Sequence, residues 1–119
     1  MSEIKSYKDL FIWQKSMVLV IHIYEITKAF PNAEMYGLTS QLRRSAVSIP
    51  SNIAEGYGRR STNDYKRFLQ MAVRSLYELQ TQIKIAFRLE YIIEQKHNEI
   101  KDLNVEVDKM LYSIIQKIK

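Results

Sequence analysis

The sequence predicts an all-α protein, an elongated, antiparallel up-down four-helix bundle formed by one domain over residues 1–119. Apolar residues recur at spacings of three and four through four segments, which is the helical period. Pro31 and Gly37 lie between the first two segments and Gly58 between the second and third, whereas Pro50 falls inside the second. The length of 119 residues fits one domain, and 46% hydrophobic residues can supply its core. The predicted helices cover residues 9–29, 39–56, 62–89 and 94–118.

The first predicted helix, residues 9–29, begins at Asp9, a residue type that caps helix N-termini. It ends before Phe30-Pro31, because the residue that precedes a proline disfavours helical geometry. Between these ends, residues 17–23 are apolar at every position except His22. A helix that is apolar almost all round is buried, so we expect this helix to be central in the bundle or in an assembly.

The second predicted helix, residues 39–56, has two faces that both suit burial. One face is apolar at helical spacing and consists of Leu38, Leu42, Ala46, Ile49 and Ile53. The other carries small residues where a solvated helix would show charge, and this pattern predicts an oligomer interface. The predicted interface residues are Val47, Pro50, Ser51 and Ala54.

Two residue types shape this second helix. Pro50 removes one backbone hydrogen bond and crowds the carbonyl of Ala46, so a bend is expected near the middle. Gly56 and Gly58 are expected to end the helix, because glycine readily adopts a left-handed backbone conformation there.

The third and fourth predicted helices show the clearest periodicity. Ser61, followed three residues later by Asp64, predicts a capped N-terminus for the third helix. Its heptad seam predicts left-handed bundle packing and consists of Tyr65, Leu69, Ala72, Leu76, Leu79, Ile83 and Ala86. The seam of the fourth helix is predicted to contain Ile100, Leu103, Val107, Met110 or Leu111, Ile114 and Ile118.

Two strings carry a family resemblance: DLFIWQKS in the first helix and SQLRRSAVSIPSNIAEGYGR in the second. With them, the chain from Tyr7 onward resembles the small four-helix-bundle proteins encoded in intervening sequences of bacterial 23S ribosomal RNA genes. The resemblance implies a left-handed four-helix bundle that assembles as a ring, a pentamer, with no established enzymatic activity. That family is also similar to an RNA-binding accessory protein of diversity-generating retroelements.

Positive charge is concentrated in the middle of the chain. Residues 38–88 hold all seven arginines and carry nine basic residues against three acidic ones. Arg67, Arg74 and Arg88 share one outward heptad position, which predicts a basic stripe suited to phosphate. We therefore expect RNA or single-stranded DNA as a partner. The candidate nucleic-acid-binding residues are Arg43, Arg44, Arg59, Arg60, Lys66, Arg67, Arg74, Lys84 and Arg88.

Three alternatives to nucleic-acid binding stay open. A basic face can simply be solvated and keep a protein of net charge +5 in solution. It can also dock an acidic protein, which would make the chain a scaffold or adaptor. Arg43 and Arg44 can instead pair with Glu55 or Glu78 across a subunit interface.

The residue types present do not indicate a catalytic site or a cofactor site. The chain has no cysteine, and His22 and His97 lie on different helices without an acidic ligand pattern, so no metal site is expected. No catalytic residue, cofactor or small-molecule substrate is predicted, and a non-enzymatic protein is expected. The sequence also lacks a signal-peptide pattern and a membrane-spanning run, which favours the cytoplasm.

Overall fold

The computed structural model describes residues 3–118, and these residues form four α-helices with no strand. The helices are α1 (Phe11–Thr27), α2 (Leu38–Tyr57), α3 (Thr62–Arg88) and α4 (Glu94–Lys117), with single 3₁₀ turns at Tyr7–Asp9 and Asn32–Glu34. Helices that are adjacent in the chain pack together, and α4 packs against α1. No Cα atoms of the diagonal helices within residues 3–118 approach to 8 Å. The predicted four-helix bundle is therefore confirmed, and its extents of 43 × 27 × 21 Å make it elongated.

The start and end of α1 differ from the prediction for a physical reason. Asp9 does not begin the helix; its carboxylate accepts from the backbone N–H groups of Lys5 and Ser6 at 2.8 and 3.2 Å, within a 3₁₀ turn. The α-helix then begins at Phe11. At the other end, Lys28, Ala29 and Phe30 donate to carbonyls three residues back, so the last turn tightens after Thr27.

The most extensive helix contact in the bundle is between α2 and α3, and Gly56 provides space for it. Gly56 lies inside α2 and is buried, where a Cβ would stand 2.7 Å from Phe68 Cβ and 3.1 Å from Tyr65 Cδ1. No glycine between residues 3 and 118 has a positive φ, and the C-cap residue Gly58 has φ −78°. α2 ends at Tyr57 with Gly58 as its C-cap, close to the expected end, but the expected left-handed conformation is wrong for both glycines. Gly56 lies within the helix, where it provides space for α3.

Small polar residues line the same α2–α3 contact. The Ser45 hydroxyl lies 2.8 Å from a Glu78 carboxylate oxygen and 3.0 Å from the Gln82 amide oxygen. One turn along, the hydroxyls of Ser48 and Ser75 are 2.8 Å apart. These short side chains let the backbones approach, and their mutual hydrogen bonds remove the cost of burying them.

The core seam of α4 contains two polar residues that the prediction omits. Its buried residues are His97, Ile100, Asn104, Val107 and Leu111, whereas the predicted Leu103 and Ile114 are only partly buried. The His97 ring stacks on Phe87 of α3 with centroids 4.1 Å apart. A prediction from apolar periodicity misses such positions because it assigns polar residues to solvent.

Glu34 joins the two connections at one end of the bundle. One carboxylate oxygen accepts from the backbone N–H of Leu38 at 3.1 Å, which caps α2, and the other accepts from the Tyr91 hydroxyl at 2.9 Å. The hydrogen bond to Glu34 raises the pKa of Tyr91 above its usual value, so the phenol remains a donor at neutral pH. The α1–α2 and α3–α4 connections are thereby held together.

The end of α3 stores backbone strain at Glu90. Glu90 has φ 66°, in the left-handed region, and the next backbone N–H, that of Tyr91, reaches back to the Ala86 carbonyl at 2.9 Å. Glycine is the usual residue at this position after a helix because a Cβ is unfavourable there.

We expect Glu90→Gly to raise the free energy of unfolding by about 1 kcal/mol, because relief of the strained Cβ exceeds the entropy that glycine adds to the unfolded chain. Urea unfolding followed by circular dichroism measures this. The neighbouring Leu89 has φ −83° and gains nothing from glycine, so Leu89→Gly should lower stability. A loss of stability in both variants would contradict the argument.

We expect Gly56→Ala to lower the free energy of unfolding by about 1–3 kcal/mol, since the new methyl group would force α2 away from Phe68. Gly58→Ala is the matched control. A Cβ there meets nothing closer than 3.7 Å, so thermal unfolding should show little change or a small gain. Equal melting temperatures for the two variants would show that α2 and α3 can separate at no cost.

Candidate functional site

The nine predicted cationic residues do not form one continuous surface. Contacts of Arg43 place it against α1. A second group surrounds the α2–α3 connection, and a third follows the exposed side of α3. The second group consists of Arg59, Arg60, Lys66 and Arg67, and the third of Arg74, Lys84 and Arg88.

At the α2–α3 connection, two guanidinium groups approach one aromatic ring. Arg59 and Arg67 each place the guanidinium carbon 4.7 Å from the centroid of the Phe68 ring. Each also makes a surface ion pair at 3.6 Å, Arg59 with Glu55 and Arg67 with Asp64. Exposed ion pairs of this kind contribute little stability. Both arginines therefore stay available to bind an anionic ligand.

The exposed side of α3 carries the cations that are least engaged. Arg74 and Arg88 are exposed and make no ion pair with any residue between 3 and 118, and Lys84 only passes 5.7 Å from the Phe87 ring. Glu78, one turn from Arg74, points toward α2 and contacts Ser45. From Arg67 to Arg88 this line extends about 32 Å at 1.5 Å per residue. We call Arg67, Arg74, Lys84 and Arg88 the α3 cationic face.

Tyr77 lies on the α4 side of this face. Its hydroxyl donates to Asp108 across the α3–α4 boundary at 3.4 Å, and the side chain is exposed. The Asp108 carboxylate raises the pKa of Tyr77, with a smaller contribution from burial, so the phenol is neutral at physiological pH. An exposed, neutral phenol ring next to cations can stack on a base.

Arg43 has a structural role between α1 and α2. Its Nε–H donates to the Thr27 hydroxyl at 2.9 Å, and its guanidinium lies 4.7 Å from the centroid of the Tyr24 ring. Glu55 and Glu78, its suggested partners, are engaged with Arg59 and Ser45 within the subunit. Arg44 is exposed and lines a groove of 490 Å³ next to Arg43.

The four predicted interface residues line a second groove between α1 and α2, of 290 Å³. Val47 is 39% exposed and Ser51 is exposed, whereas Ala54 is partly buried and Pro50 is buried within the subunit. The helix α2 continues through Pro50 without interruption. Val47 lines both grooves, so the two grooves are adjacent.

Helix α1 also carries exposed apolar residues. Val18 and Ile21 are 45% and 54% exposed, and Tyr24 lines the groove beside Arg43. The sequence prediction noted that α1 is apolar almost all round but did not name these residues as interface. We call Val18, Ile21, Tyr24, Val47, Ser51 and Ala54 the α1–α2 face.

Neither metal ligation nor membrane insertion is evident in the structure. Between residues 3 and 118, no group of three or more histidine, cysteine, aspartate or glutamate side chains is placed to hold an ion. His97 is buried against Phe87, on a different face from His22. No helix in the described range has the length and apolar character that crossing a bilayer requires.

Comparison with known families identifies the chain. A family model described as the 23S rRNA-intervening sequence protein matches residues 8–113, which include all of α1, α2 and α3 and most of α4. The chain belongs to this family. The resemblance carried by the first two helices is therefore confirmed. No curated protein matches the chain.

One solved structure that is similar to this chain comes from Bacteroides thetaiotaomicron. That crystal structure is described as a protein with unknown function from the S23 ribosomal protein family. The two chains are 25% identical, the match covers 89% of this chain and 96% of the other, and the TM-score is 0.82. The fold is thus shared over nearly the whole length, without an assigned activity.

Proposed function

We propose that this family member is a non-enzymatic, oligomeric accessory protein that binds single-stranded nucleic acid, RNA or DNA, through the α3 cationic face. The observation that carries the proposal is the line of exposed, unpaired cations at Arg74, Lys84 and Arg88. A phosphate backbone binds such a line by releasing its counterions, whatever the base sequence.

Arginine chemistry favours nucleic acid over an acidic protein as the partner. The guanidinium fork matches phosphate oxygens in a bidentate manner, and all seven arginines of the chain lie within residues 38–88. One subunit offers about three to five cations, which would bind weakly at physiological salt. Several copies that bind one strand would act together and raise the effective affinity without new contacts.

The α1–α2 face supports assembly into an oligomer, for which we propose a ring of five. It is apolar and grooved, and it lies away from α3, so subunits can associate through it while the α3 cationic face stays exposed. Exposed apolar surface of this kind is typical of contact with another protein. The ring number itself comes from the family resemblance.

We expect Arg74→Glu with Arg88→Glu to weaken binding to single-stranded RNA by about 10-fold to 100-fold at about 50 mM salt, because two phosphate contacts per subunit become repulsions. Fluorescence anisotropy measures this. Arg67 is left unchanged because it also contacts Asp64 and the Phe68 ring. The dependence of log affinity on log salt should become shallower by about one or more.

The matched control is Lys5→Glu with Lys109→Glu, which alters net charge equally but at exposed lysines outside α3. This control should bind almost as tightly as the wild type. Equal weakening in both double variants would mean that total charge, and not the α3 cationic face, governs binding. Failure of the wild type to bind RNA or single-stranded DNA at about 50 mM salt would reject the proposal in favour of a protein scaffold.

We expect Ile21→Glu to reduce the mass of the particle to that of a single 14.1 kDa chain in light scattering. Ile21 is 54% exposed in the subunit, so a carboxylate there leaves the core intact but is unfavourable in an apolar interface. Ile85→Glu, on α3 at 45% exposure, is the matched control and should keep the oligomer. A wild-type protein that is monomeric at micromolar concentration would contradict assembly.

A further inference from the structure

Two exposed tyrosines lie where α3 and α4 meet. Tyr77 on α3 is 51% exposed and Tyr112 on α4 is 55% exposed. The Tyr77 hydroxyl donates to Asp108, and Tyr112 follows Asp108 by one turn of α4, which places it on the same face of that helix. Both rings therefore belong to the surface that α3 and α4 share.

The pairing of α3 with α4 shows where Tyr112 lies along the bundle. Phe87 of α3 stacks on His97 near the start of α4, whereas Tyr77, earlier in α3, contacts Asp108, later in α4. The two helices are therefore antiparallel. Because Tyr112 comes four residues after Asp108, it is offset from Tyr77 by about 6 Å toward the N-terminus of α3.

Tyr77 also belongs to the line of cations on α3. Arg74, Tyr77, Thr81, Lys84 and Arg88 recur at spacings of three and four and are all exposed, so they share one outer face of the helix. Arg74 and Lys84 are about 15 Å apart along the axis at 1.5 Å per residue, and Tyr77 lies between them. A phosphate backbone bound to these cations would pass beside the Tyr77 ring.

The side of α4 next to α3 also suits a polyanion. Lys101 is exposed and lines a groove with residues of α3. The Asp108 carboxylate on this side accepts from the Tyr77 hydroxyl. Glu106 faces another side of α4, where it forms an ion pair with Lys15 of α1. Cations and aromatic rings therefore characterise the surface shared by α3 and α4.

We propose that Tyr77 and Tyr112 form a stacking platform for two successive bases of the bound single strand. Aromatic side chains bind bases of any identity, because every base presents a π-face. The offset of about 6 Å between the tyrosines exceeds the ~3.4 Å between stacked bases, so the strand must be extended, with one base on each ring. A duplex keeps its bases stacked and cannot use these rings. This inference rests on the proposed function and adds a contact that depends on bases but not on their sequence.

The test measures binding to three ligands by fluorescence anisotropy: an oligodeoxythymidylate, a strand of equal length whose sugars carry no base, and a DNA duplex. Wild-type protein should bind the thymidylate about fivefold or more tightly than the base-free strand, the factor expected of a single stacked base. Tyr77→Leu with Tyr112→Leu should bind the two single strands equally and keep the wild-type affinity for the duplex. Each single change to leucine should remove part of the preference.

Two control variants separate stacking from other effects. Tyr77→Phe removes the hydroxyl that contacts Asp108 but keeps the ring, so it should keep the preference. Phe11→Leu removes a ring of 75% exposure from α1, the helix diagonal to α3, and should also keep it. Because Tyr77 and Tyr112 lie outside the buried core, the melting temperatures of the leucine variants should change little.

Four results would overturn the inference while leaving the proposed function intact. One is equal affinity of the wild type for the two single strands. The second is a preference that survives the double change to leucine, or that either single change leaves intact. The third is loss of the preference in Tyr77→Phe or Phe11→Leu, and the fourth is weaker duplex binding by the double leucine variant. A wild type that binds none of the three ligands would instead reject the proposed function, and this inference with it.

Discussion

The close contact between α2 and α3 determines where every other surface of this bundle lies. Gly56 lets the Phe68 and Tyr65 side chains approach the α2 backbone, and small hydroxyl residues continue the contact toward the other end of both helices. Because this side of α3 is occupied, its arginines must project away from α2. Because α3 occupies that side of α2, the remaining small residues of α2 face α1 and solvent. One contact thus separates a cationic surface from an apolar one.

This separation suits a protein that must assemble and bind a polyanion at the same time. Charges buried at a subunit interface would have to be desolvated and paired, which often costs more than the pairing returns. Here the exposed apolar residues Val18, Ile21 and Val47 lie on α1 and α2, whereas Arg74 and Arg88 lie on α3. Arg43 and Arg44 lie beside the α1–α2 face. The Arg43 guanidinium contacts Thr27 and the Tyr24 ring, whereas Arg44 is exposed at the groove.

The spacing of apolar residues and the residues typical of helix ends were sufficient to predict the fold, because every helix of a bundle has the same pattern of buried positions. They predicted the buried seam of α3 from Leu69 to Ala86, and also the N-cap Ser61, whose hydroxyl accepts from the Asp64 N–H at 3.0 Å. They could not predict Gly56 as a packing residue or Arg43 as a link to α1, because both depend on which helix lies alongside. The heptad positions of Arg67, Arg74 and Arg88 are local information, so their common face was predictable. The contacts of Arg67 with Asp64 and the Phe68 ring required coordinates.

Asn104 shows most clearly what a pattern of apolar residues cannot predict. It occupies a core position of α4, between Ile100 and Val107, where leucine would satisfy every packing requirement. A buried polar residue that violates the local rule usually either fixes the register of a bundle or serves a ligand. Fixing register requires a polar partner on a facing helix, and Asn104 has none among residues 3–118 for its carbonyl oxygen. The cost of this unpaired acceptor is something that the spacing of apolar residues cannot predict, because such a pattern assigns every polar residue to solvent.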